Sequence, residues 1–144
     1  MRKERKHYVE NIVKAKRYLI ASIVLALAGA VYEMFSHGIY SNHMIYAFMY
    51  PLAMGCLPYL ADNRGIIKKA GHLSEVLLLA AIVTLSIGSV IRGVLEIYGT
   101  TNFLTGAYTL IGALLIIGAA AVCLINMRLA ALSHKDSSAL RASE

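Results

Sequence analysis

Residues 103–127 read FLTGAYTLIGALLIIGAAAVCLINM, 25 positions without an Asp, Glu, Lys, Arg or His. At ~1.5 Å per residue this run makes a helix of roughly 37 Å, longer than the ~30 Å hydrocarbon core of a bilayer. Lipid offers no partner to a free backbone N–H or C=O, so the run is expected to be helical. Three further apolar runs precede it, at about 18–35, 43–60 and 73–98. Together they predict an all-α membrane protein with four transmembrane helices in a bundle.

Composition agrees with that reading. Hydrophobic residues fill 58% of 144 positions and charged residues 15%, with mean hydropathy +0.63. Soluble domains are nearer 45–50% and about 25%. A 15.6 kDa chain has too little interior to hide such an excess. Disorder, a disulfide scaffold and a soluble enzyme are thereby excluded. Cys56 and Cys123 form no CxxC pair and are expected to be reduced thiols filling apolar space.

The charge distribution sets the expected orientation. The net charge is +6, and seven of the 14 Lys and Arg residues lie within the first 17 positions. Arg64, Lys68 and Lys69 occupy the loop 61–72, and Arg128, Lys135 and Arg141 lie in the tail. The short connections 36–42 and 99–102 carry no Lys or Arg. Positive charge gathers on the cytoplasmic side of membranes, which predicts a plasma-membrane protein with both termini and the middle loop inside. Charge that flanks spans in this way is not a nucleic-acid-binding stripe, so no nucleic acid is expected.

The chain divides into a basic arm at 1–17, a transmembrane domain at 18–127 and a polar tail at 128–144. Tyr8, Val9, Ile12 and Val13 share one face of the arm amid Lys and Arg. That pattern suits an interfacial helix on anionic lipid headgroups, or a solvated arm that only fixes topology. The serine-rich tail is expected to be disordered. The first apolar run also resembles a signal peptide, but its removal would leave an odd number of spans.

A shift of 59 residues aligns Ile23-Val24 with Ile82-Val83, Gly29 with Gly88, and Glu33 with Arg92. It suggests two hairpin repeats related by a pseudo-two-fold along the membrane normal. The same shift sets His37 against Glu96. Charges within apolar runs are expensive and normally face the bundle interior or water. Arg92 is therefore expected to pair inside the bundle with Glu96, one turn away, and with Glu33 across it. This cluster either locks the helices together or lines an outward-facing acidic pocket for a cation, a proton or an amine.

Tyr32, Tyr46 and Tyr50 lie within spans, need hydroxyl partners there, and are expected to line the same pocket. Pro51 and Pro58 should kink the second span and serve as a gate or a static bend. His37 and His43 could ligate a metal with Glu33 or Glu96, but paired outer-loop histidines are common without one, and no metal or cofactor is expected. Small residues at Gly88, Ser89, Gly93, Gly106, Gly112 and Gly118 suit close helix packing within the bundle, a homo-oligomer or a larger membrane complex. No nucleophile–base pair and no HExxH, Walker or GxSxG motif is present, so catalysis is not expected.

Overall fold

The computed structural model describes residues 2–35, 41–62, 66–100 and 102–142, with the backbone alone described at 2–7, 68–69 and 134–142. The regular elements are helical: α1 (Arg2–Phe35), α2 (Asn42–Ile45), a π-helical turn (Pro51–Cys56), α3 (Leu57–Ala61), α4 (Ile66–Ala70), α5 (His72–Ile97) and α6 (Leu104–Ala142). Tyr8–Phe35, His72–Ile97 and Leu104–Ser133 are long and apolar enough to cross a membrane.

The second apolar run differs from the continuous span expected at 43–60. Its helix breaks after Ile45, where a turn follows over 46–48. Pro51 has no N–H to donate to Ala47, and its ring crowds that carbonyl. The chain then widens its register, so that the Leu57 N–H reaches the Leu52 carbonyl five residues back. Pro58 sits within the first turn of α3, where a missing N–H costs least.

The N-terminal arm is helical, and the C-terminal tail departs from the expected disorder. The basic arm is no separate element, because α1 runs unbroken for 34 residues through positions rich in Lys, Glu, Ala and Leu. The tail continues α6 to Ala142. Extending an existing helix needs no nucleation, and Arg128, Leu129, Ala130, Ala131 and Leu132 favour it. The two segments that the 59-residue shift would pair differ in form: 42–61 is broken, whereas α6 runs uninterrupted from Leu104.

Pairwise contacts fix the helix directions. Lys14 meets Glu75 near one end, while Met44 is wedged between Gly29 and Gly93 near the other, so α1 and α5 run parallel. Segment 42–61 returns between them. In the α5–α6 pair, Leu85 faces Gly112, Gly88 faces Tyr108, and the Ser74 hydroxyl donates to the Ala119 carbonyl, an antiparallel register. The N-terminal part of α1 and the C-terminal part of α6 therefore lie at the same end, here termed the basic end. Gly71 joins α4 to α5 with φ at +84°, and the Asn126 side chain donates to the adjacent Ala70 carbonyl. A Cβ at Gly71 would be strained and would also meet that amide.

α5 is the central helix: 39% of its most apolar stretch is buried, against 11% for α1 and for α6. The interior is thin and built from small residues, among them Ala15, Ala47, Ala81 and Ala119. Leucines and isoleucines line the outside of α1 and α6 instead. In water that surface would be an aggregation hazard; in lipid it is solvated.

Candidate functional site

Two polar clusters occupy the two ends of α5. Glu75 and Glu96 are 21 residues apart, or roughly 30 Å along a helix, which matches the hydrocarbon thickness of a bilayer.

At the end opposite the basic end, Glu96 is the hub. Ser41 occupies the N-cap of α2, yet its hydroxyl leaves its own helix uncapped and donates to Glu96 Oε2 at 2.7 Å. The other oxygen, Oε1, lies 3.4 Å from Arg92 Nε and 3.5 Å from His43 Nε2. The Ser89 hydroxyl donates to the His43 carbonyl and fixes that turn on α5. α5 itself closes with paired bonds, Gly99 N–H to Glu96 O and Thr100 N–H to Leu95 O, around Gly99 at φ +70°. Asn102 then accepts the Leu104 N–H and caps α6.

Beside this hub lies an open depression of about 420 Å³ lined by Arg92, Leu95, Glu96, Thr100, Asn102, Phe103, Thr105 and Gly106. Arg92 is 46% exposed and Glu96 36%. Arg92 thus stands at the rim rather than in the bundle interior, as a long side chain near a helix end can. It reaches Glu96 along its own helix. Among the described residues no ion pair joins it to Glu33. Glu33 lies on α1 with one carboxylate oxygen shielded from solvent.

The tyrosines do not gather at this depression. Tyr32 lies beside Tyr98 and lines a separate apolar cavity of about 140 Å³ with Met44, Val90 and Val94. Tyr46 closes α2 and is 59% exposed. Tyr50 leads into the π-helical turn, and the break at 46–48 parts it from the helical face shared with His43. His37 lies outside the described residues. Among the described residues no three His, Cys, Asp or Glu side chains group closely enough to hold a metal.

The basic end carries a second cluster that the sequence reading missed. Lys14 Nζ donates to both carboxylate oxygens of Glu75, at 2.6 and 2.8 Å. The same ammonium sits 5.3 Å from the centre of the Tyr59 ring, and Tyr59 stacks on Tyr18 at 5.8 Å. Gly55 makes room for the stack, since a Cβ there would fall on the Tyr18 ring. Asn11 donates to Asp62, whose carboxylate accepts the N–H groups of Ile66 and Ile67 at the start of α4. An acid in the first turn of α5 at a membrane boundary signals a need for a cation nearby. The sequence does not say which of the many Lys and Arg residues supplies it.

No protein-family model, curated protein or solved structure matches the chain.

Proposed function

We propose that this chain is a four-pass plasma-membrane protein that binds or transports a small cation, proton or amine-bearing ligand at its outer end. The acid in this reading is Glu96. The parallel course of α1 and α5 supports a fourth crossing, because segment 42–61 must return through the same thickness. The Lys and Arg bias puts the basic end in the cytoplasm, with anionic headgroups around the arm.

One observation carries the ligand class. Glu96 is held firmly through one oxygen by Ser41, while the other is 3.4–3.5 Å from Arg92 and His43 at the edge of the 420 Å³ depression. Charge-assisted bonds that are fully made measure ~2.7–2.9 Å. A ligand ammonium can take that second oxygen by displacing the Arg92 guanidinium, which is 46% exposed and can swing out to solvent, with Leu95 and Phe103 against the ligand's apolar part. The reading is of a binding protein rather than an enzyme. Ser41, beside Glu96, is 1% exposed and out of a substrate's reach.

Phenethylamine, titrated into the detergent-solubilised full chain by calorimetry, is expected to bind saturably, and Glu96→Gln is expected to abolish that heat. Equal binding by the variant rejects Glu96 as the site. A second reading, an accessory subunit or homo-oligomer whose polar groups only lock helices, is favoured by the Ser41–Glu96 bond itself. It predicts no amine binding and a loss of roughly 1.5–3 kcal/mol of stability in Glu96→Gln.

Orientation is tested separately. With Cys56 and Cys123 replaced by Ala, a cysteine at exposed Thr100 should react with an impermeant maleimide on intact cells, and one at exposed Ser133 only after lysis. Labelling of Ser133→Cys on intact cells reverses the assignment.

A further inference from the structure

The cluster at the basic end borders an open cavity of about 360 Å³ between α1, α3 and α5, independent of the Glu96 site. Its lining divides by chemistry. Lys14, Arg17, His72 and Glu75 form one part, Tyr18 and Tyr59 the aromatic wall, and Val76 and Leu79 the aliphatic part. His72, Glu75, Val76 and Leu79 recur at helical spacing, so one face of the first two turns of α5 supplies half of it.

The charges do not cancel. Lys14 is matched by Glu75 through both oxygens, which leaves the exposed Arg17 guanidinium in excess, with the imidazole of His72 across the cavity. The N-terminus of α5, the positive end of its dipole, starts at His72. From the cavity an apolar track leads along α5 toward the opposite end: Val76, Leu79, Val83 and Ile87, spaced three or four apart, are all more than 40% exposed. A site with excess positive charge at its head and an exposed aliphatic track leaving it fits an amphiphile with an anionic head.

We propose that this cavity binds one phospholipid of the anionic class. The phosphate is held by Arg17 and His72, its glycerol region lies against Tyr18 and Tyr59, and an acyl chain runs over Val76 and Leu79. This differs from diffuse attraction of a basic arm to a charged surface, because it assigns the binding to Arg17 and not to its neighbour. Lys16 carries the same charge and is exposed, but does not line the cavity.

The test uses the full chain in a neutral detergent and reads the thermal midpoint and native-mass-spectrometric adducts. Dioctanoyl-phosphatidylglycerol, dioctanoyl-phosphatidylcholine and glycerol 3-phosphate are titrated in parallel. Phosphatidylglycerol should bind saturably as a single adduct, and the other two should bind at least tenfold more weakly. Arg17→Gln should weaken phosphatidylglycerol binding by about tenfold or more, the scale of one charge-assisted contact. Lys16→Gln should leave it unchanged. Equal loss in both variants assigns the effect to the arm's general charge and overturns the site. Equal binding of phosphatidylcholine overturns the anionic headgroup, and equal binding of glycerol 3-phosphate overturns the lipid.

Discussion

Gly93→Leu is expected to unfasten the second segment from α5. A Cβ at residue 93 would lie 2.7 Å from the Met44 Cβ, 3.1 Å from the Met44 nitrogen and 3.2 Å from its Cα. Backbone cannot swing aside as a flexible side chain can. Room for retreat is small, because Met44 also packs closely on Gly29 of α1, where an added Cβ would be 3.2 Å from the Met44 carbonyl oxygen. Overpacking of this kind typically costs ~1–3 kcal/mol. Displacing Met44 also separates Ser41 from Glu96, a bond to a charged group worth ~1.5–3 kcal/mol. The two losses are coupled and do not simply add, so the expected total is roughly 3 kcal/mol. The measurement pairs thermal unfolding in detergent with maleimide reactivity of Ser41→Cys, a position 1% exposed in the native fold. Protection should be lost in Gly93→Leu and partly lost in Gly93→Ala. Full protection with an unchanged midpoint would show that α2 does not depend on this contact.

Glu75→Gln is expected to have a comparable effect at the other end. The carboxylate takes both of its short contacts from Lys14, at 2.6 and 2.8 Å, and is only 26% exposed. Its loss leaves a partly shielded ammonium over the Tyr59 ring without an anion, at a cost of roughly 1.5–3 kcal/mol. Partial burial also makes this cost less sensitive to salt than an exposed pair. The double variant Lys14→Glu with Glu75→Lys should recover part of the loss. Recovery should be incomplete for two reasons. A lysine in the first turn of α5 opposes the helix dipole, and a carboxylate over Tyr59 forfeits the cation–π contact. A double-mutant cycle on thermal unfolding reads the coupling directly; zero coupling would mean that the pair does not hold α1 to α5.

These two sites mark where the sequence stopped being informative. The long apolar runs and the helical character of three of them were legible, because hydropathy and backbone satisfaction in lipid are properties of consecutive residues. The pairing of Arg92 with Glu96 was legible for the same reason, since residues four apart on a helix are neighbours. The trouble at Pro51 was visible too, but not its form. Whether a missing N–H yields a kink, a turn or a π-helical register depends on what the freed segment packs against.

What only tertiary structure decided is which distant groups meet. Lys14 and Glu75 are 61 residues apart, and Ser41 and Glu96 are 55 apart. Their contacts exist because α1 and α5 run parallel at a particular register with a broken segment between them. That register is set by where Met44, Gly29 and Gly93 interlock, and no periodicity along one chain encodes it. The tyrosines part on the same ground, Tyr32 lining an apolar cavity with Met44 while Tyr46 is 59% exposed: shared depth in a membrane brings residues to one level, but helix rotation decides which of them face each other.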